Sequence, residues 1–85
     1  MITDNLITVG GESISLLDEN INRSSVMITN PTDETIYLGY GPQAMIGSEM
    51  FIEPNGYHRM ESDYTGQITA ICSSSDKTIK VVEIS

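Results

Sequence analysis

Ser24-Ser25-Val26-Met27-Ile28-Thr29-Asn30-Pro31-Thr32-Asp33-Glu34-Thr35-Ile36-Tyr37-Leu38-Gly39-Tyr40 is the stretch whose reading decides the fold. Val26 and Ile28 fall on one face of an extended chain and Met27 on the other, the period-two pattern of a half-buried strand. Asn30 to Glu34 ends that strand, because Pro31 has no N–H to give a ladder and Asn and Asp suit turns. The pattern then resumes, with Ile36, Leu38 and Tyr40 on one face. Two strands and a turn predict a hairpin over residues 24–40.

The same alternation extends in both directions, and no window has the three-to-four spacing of a helix. Leu6 to Val9 and Ser13 to Leu17 flank Gly10-Gly11, a turn between two strands. Glu49 to Glu53 runs into Pro54-Asn55-Gly56, and Tyr57 to Glu61 returns, which predicts a second hairpin. Pro presets φ for the first central turn position, while Asn and Gly accept positive φ after it. Thr65-Gly66 leads into Gln67 to Cys72, which aligns Ile68, Ala70 and Cys72. After the polar turn Ser73 to Lys77, Thr78 to Ile84 sets Ile79 and Val81 on one face and Val82 and Ile84 on the other. About seven or eight short strands between turn signals describe an all-β chain, a small antiparallel β-sandwich (Ig-like or jelly-roll-like) or a small barrel. A change near Asn20 to Arg23 leaves two readings for residues 1–22: ordinary sandwich strands, or an N-terminal arm or swapped edge.

Eighty-five residues make one domain, 1–85. A chain this short buries only about 60–65% of its unfolded surface, so small domains recruit disulfides, metals or further subunits. Cys72 is the only cysteine and His58 the only histidine, so neither an internal disulfide nor a zinc cluster is expected. Oligomerisation or docking to a larger partner is the remaining support. A lone cysteine indicates no reliance on an oxidising compartment. Met1 to Gly11 lacks the basic and apolar regions of a secretory signal, and no run approaches the roughly 20 apolar residues of a membrane span. A soluble protein without membrane partners is expected. The net charge of −8, from 12 acids and 4 bases, repels phosphate and argues against nucleic acid as a partner.

The chemistry-bearing residues assemble no catalytic pattern. His58 is the only neutral-pH base, and it lies within a strand. The acidic pairs Asp18-Glu19, Asp33-Glu34 and Glu61/Asp63 fall at turns or strand ends, where carboxylates are solvated. Asp18-x-Asn20-x-Asn22 matches the start of a calcium loop, but Arg23 stands where Gly belongs and Thr29 where Glu belongs. Gly10-Gly11 lacks the Lys and helix of a phosphate loop. Asn22-Arg23-Ser24 fits the glycosylation pattern, which has no use without a secretory route. No catalytic residues, cofactor or metal are therefore expected. One stretch stands out: Gly41-Pro42-Gln43-Ala44-Met45-Ile46-Gly47-Ser48, a loop with an apolar centre. Met45 and Ile46 either tuck under the sandwich or meet another chain, which makes them the candidate interface. The five methionines suit irregular packing and adaptable contacts alike.

In order, Arg23 to Pro31, Ile36-Tyr37-Leu38-Gly39, Ile52-Glu53-Pro54-Asn55-Gly56, Thr65 to Cys72 and Val81-Val82-Glu83 resemble the short β-sandwich virion proteins of tailed bacteriophages. The resemblance is to head decoration (cement) proteins and the capsid-binding ends of head fibres, and it spans about residues 23–84. It implies a non-enzymatic structural protein made in the host cytoplasm. Such a protein binds the outer capsid surface as a homotrimer, with the major capsid protein or another virion protein as partner. Alternatives are a tail, baseplate or neck protein, or a small ligand- or carbohydrate-binding β-module, which would carry exposed aromatics on one face.

Overall fold

The eight strands are β1 (Ile2–Val9), β2 (Ile14–Leu17), β3 (Ser25–Thr29), β4 (Ile36–Tyr40), β5 (Phe51–Ile52), β6 (Tyr57–Glu61), β7 (Ile68–Ile71) and β8 (Lys77–Ile84). They come from a computed structural model, which describes residues 1–61, 64–74 and 76–85, with Glu61 described by its backbone alone. The strands form two four-stranded antiparallel sheets, β1-β8-β3-β6 and β2-β7-β4-β5. The chain is an all-β sandwich, as its alternation predicts.

The first strand pairs with the last, the second with the second-last, the third with the third-last, and the two middle strands with each other. This is one long antiparallel ribbon, doubled at β4–β5 and folded across itself, which is the jelly-roll arrangement. Residues 2–9 run the full length of β8, from Ile2 opposite Ile84 to Val9 opposite Lys77. Beyond β1, the Met1 ammonium and the Ser85 amide each donate to the other residue's carbonyl.

Both expected hairpins are overturned. β3 and β4 lie in different sheets, and so do β5 and β6. Alternation specifies which face a side chain takes but not which strand lies alongside, so a turn that hops between sheets reads like one that stays within a sheet. The turn chemistry itself is as expected: Gly56 N–H donates to Glu53 C=O at 2.9 Å, with Asn55 at φ 62°. Asn30 does the work that a hairpin ladder would do. Fully buried, its Nδ2 donates to the carbonyls of Glu34, Ile52 and Glu53, while its Oδ1 accepts from the Thr32 amide and hydroxyl. One side chain therefore knits the β3–β4 crossing to the β5–β6 crossing.

The inward positions follow the alternation. Val9, Val26, Ile28, Ile79 and Val81 from one sheet pack against Ile36, Leu38, Ile52, Ile68, Ala70 and Cys72 from the other. Each fully buried Ile or Val contributes about 1.5–3 kcal/mol of apolar transfer. Leu16 and Leu17 are adjacent in sequence yet both buried, because the β2 register shifts between Ser15 and Leu17. A bulge there breaks the alternation and brings both to the core. The Cys72 thiol is buried, and that burial pushes its pKa up from 9.0.

Arg23 closes the other end of β3. Its side chain is 1% exposed and donates from Nε to Glu83 at 2.8 Å, from Nη1 to the Gly66 and Tyr64 carbonyls, and from Nη2 to the Asp18 carbonyl. The turn it crosses is tightened by Arg23 N–H to Asn20 C=O and Asn22 N–H to the Asn20 carboxamide. This is the segment that carries the failed calcium pattern, and a fixed cation is bonded into it. Arg23→Ala should cost about 3–5 kcal/mol, because it leaves Glu83 and three carbonyls without their donor. Urea denaturation measures this. Arg23→Lys should recover only part, since an ammonium cannot span the same fork.

Candidate docking surface

Residues 41–50 connect β4 to β5 and lie back on the outer face of the β2-β7-β4-β5 sheet. Gly39 makes this possible. A Cβ there would meet Gln43 O at 2.6 Å, Thr69 Oγ1 at 2.6 Å and Ala44 Cα at 2.8 Å, so only hydrogen leaves room for the loop backbone. Thr69, opposite Gly39 in the ladder and 2% exposed, has its hydroxyl 3.2 Å from both the Gly39 and Gly41 carbonyls. Ala44 is 2% exposed and donates its N–H to Ser13 Oγ at 2.8 Å. Gly41 N–H reaches Gln67 C=O, Ser48 Oγ donates to Leu38 C=O, and Leu38 N–H donates to Met50 C=O.

Between these anchors the chain turns outward at Gly47, where φ is 87°. Met45 is 68% exposed and Ile46 50% exposed. Of the two fates expected for them, tucking under the sandwich is not the one adopted; the buried residue of this loop is Ala44, held against the outer face. Phe51 is also exposed and stands on the same outer face, with its ring centroid 6.4 Å from that of Tyr37. The loop is thus an apolar tip on a fixed base. Its sequence signal was the apolar centre; the seating through Gly39 and Thr69 leaves no pattern in the sequence.

The other residues singled out by sequence lie apart from this loop. His58 sits half-buried on β6 opposite Ile28, with Nε2 2.8 Å from the Tyr40 hydroxyl, and so bridges the two sheets at one side of the sandwich. Tyr40 stacks on Tyr64 at 4.8 Å, and the Tyr64 hydroxyl donates to Gln67 C=O. Burial holds His58 below its ordinary 6.5, and burial together with the Tyr64 phenol raises Tyr40 above 10.0. Asp18 and Glu19 are exposed, and Asp33 receives a 2.7 Å bond from Lys77, which lowers its pKa. The Glu61/Asp63 pair lies outside the described side chains. Tyr57 is exposed on the outer face of the other sheet, beside an open depression of about 300 Å³ lined by Met27, Thr29, Asn55, Gly56, Tyr57 and Arg59. The aromatic rings are therefore divided among three places. Among the described residues, no cluster of three His, Cys, Asp or Glu could hold a metal ion, and no helix is long and apolar enough to cross a membrane.

The chain matches no protein-family model, and no curated protein matches it.

Two outcomes are expected. Gly39→Ala should destabilise by about 1–3 kcal/mol through overpacking, read as a lower denaturation midpoint. Because the folded-state pKa of His58 is depressed, the unfolded chain takes up a proton that the folded chain refuses. Stability is therefore full above pH 6.5, falls as pH drops below that value, and levels off beneath the folded-state pKa. Melting temperatures from pH 8 to 5 should show that fall in the native protein and a shallower one in His58→Gln.

Proposed function

We propose that this chain is a non-enzymatic virion structural protein that binds the outer surface of a tailed-phage capsid, as a decoration (cement) or head-fibre protein, and does so as a trimer. The observation that carries the docking part is the loop 41–50. Its backbone is fixed through Gly39, Ala44, Thr69 and Ser48, yet Met45 and Ile46 are held out in solvent. A backbone ordered before contact costs less entropy on binding, so a fixed loop with an apolar tip suits a surface that must dock. The jelly roll fits this role but also hosts lectins and enzymes, and fold alone does not specify function. The assignment to a phage head draws on the order of strand and turn signatures over residues 23–84.

The capsid surface of the virion, after synthesis in the host cytoplasm, is the location this reading requires, with the major capsid protein as partner. A tail, baseplate or neck position keeps the same class and is separated by microscopy of labelled particles.

Peptide mass spectrometry of purified virions should find the chain, and its absence would defeat the reading. Met45→Asp and Ile46→Asp should each weaken binding to purified particles at least tenfold, which is about 1.4 kcal/mol, while shifting the melting temperature little. Particle binding at native strength in both variants would remove the loop from the interface.

A further inference from the structure

The two free edges of the β1-β8-β3-β6 sheet match each other. We infer that β1 of one copy adds to β6 of the next, head to tail, and extends the sheet from subunit to subunit. This rests on the oligomeric reading above and names the surface that would build it.

Two of the four sheet edges carry features that discourage strand addition. β2 has four residues and a register shift, and β5 has two residues, whereas β6 is an unshifted five-residue edge. Short length, bulges and charge all blunt an edge. β1 differs. Its eight residues pair with β8 without a shift, and it contains neither proline nor a basic residue. On its outward face Ile2 is 69% exposed and Leu6 74% exposed.

The cross-strand rows of the sheet point to the occupant. One outward row runs Asp4, Val82, Met27, Arg59, and the next runs Leu6, Lys80, Thr29, Tyr57. The first ends in an acid on β1 and a base on β6; the second ends in exposed apolar side chains, with Tyr57 70% exposed. A second copy placed beside β6 in the register that continues these rows sets Asp4 against Arg59 and Leu6 against Tyr57. Opposite charges and apolar pairs directly across a ladder are favourable. The directions agree as well. With four antiparallel strands the outer two run in opposite senses, so the junction between β6 and the next β1 is antiparallel like every other ladder in the sheet. Leu6 then lies at the rim of the depression beside Tyr57 and Arg59.

A head-to-tail contact closes into a ring where the rotation between copies allows it, and the trimer proposed above requires that closure, whereas β1 on β1 about a two-fold makes only a pair. Asp4 has Lys80 of its own chain at 3.4 Å, and the head-to-tail register adds Arg59 of the next copy, which two-fold pairing does not. One five-residue ladder is a small contact, but a ring gives every copy two of them and leaves neither edge open.

Cysteine mapping tests this. Residues directly opposed in an antiparallel ladder have Cα atoms about 4.5–5.5 Å apart, within disulfide range. Positions 6 and 57 lie on opposite edges of one sheet and cannot bridge within a chain, and Cys72 is buried away from both. Oxidised Leu6→Cys/Tyr57→Cys protein should give covalent dimers and trimers joined between positions 6 and 57, and neither single variant should cross-link. A trimer by light scattering without that disulfide would overturn this inference and leave the trimer standing. A native chain that stays monomeric would overturn both. Cross-linking by Leu6→Cys alone would replace the ring with the two-fold pair.

A charge swap reads the same junction without cysteine. Arg59→Glu should loosen the assembly at least tenfold, and adding Asp4→Lys should restore it. Unchanged assembly in Arg59→Glu would count against the pairing.

Discussion

A guanidinium almost wholly removed from solvent holds together a sandwich whose chain keeps leaving one sheet for the other. Arg23 donates to the Glu83 carboxylate and to carbonyls of Asp18, Tyr64 and Gly66. It thereby ties the β2–β3 connection to the β6–β7 connection and to β8. Burying a cation is costly unless every donor is engaged, and here the engagement is spread over three segments distant in sequence. Asn30 plays the matching part beyond the other end of β3, with five hydrogen bonds from one carboxamide. With so thin a core between them, these two polar hubs fix how the connections cross, which apolar packing alone leaves open.

The strands were legible because burial on one face writes a period of two into the chain. Val26 and Ile28 against Met27, and Ile79 and Val81 against Val82, all take the faces that spacing assigns. Pairing was not legible, because a turn such as Pro54-Asn55-Gly56 has the same chemistry whether the next strand lies alongside or opposite. By local spacing, Arg23 is a misfit in a calcium loop and Asn30 a strand stop. Each draws its meaning from carbonyls that only the fold brings near, so no local spacing could reveal it. Of the loop 41–50, the apolar pair Met45 and Ile46 is legible by being out of place in a polar turn region. Its seat did not, since Gly39 reads as a weak strand residue until the loop backbone is seen lying on it.

The surface charge follows from where the few bases go. Arg23 is buried, Lys77 leans on Asp33, and Lys80 lies 3.4 Å from Asp4, so little positive field is left to offset the acids. Against that background the exposed apolar groups stand out by position: Met45, Ile46 and Phe51 on one outer face, Leu6 and Tyr57 on the edges of the other sheet. A net charge of −8 makes copies of the chain repel one another at long range.

The doubled-ribbon topology also governs when the molecule can come into being. Among the described residues, only the β4–β5 ladder joins strands that are neighbours in sequence, and it has two residue pairs. The long β1–β8 ladder joins opposite ends of the chain. Pairing between distant residues must meet the loop-closure entropy before any contact rewards it, which places such sandwiches at roughly milliseconds to seconds in folding time. During synthesis, β1 therefore leaves the ribosome long before its partner exists. Until β8 is made, the backbone of β1 has no ladder partner, and the β1–β8 ladder then closes one of its two sides.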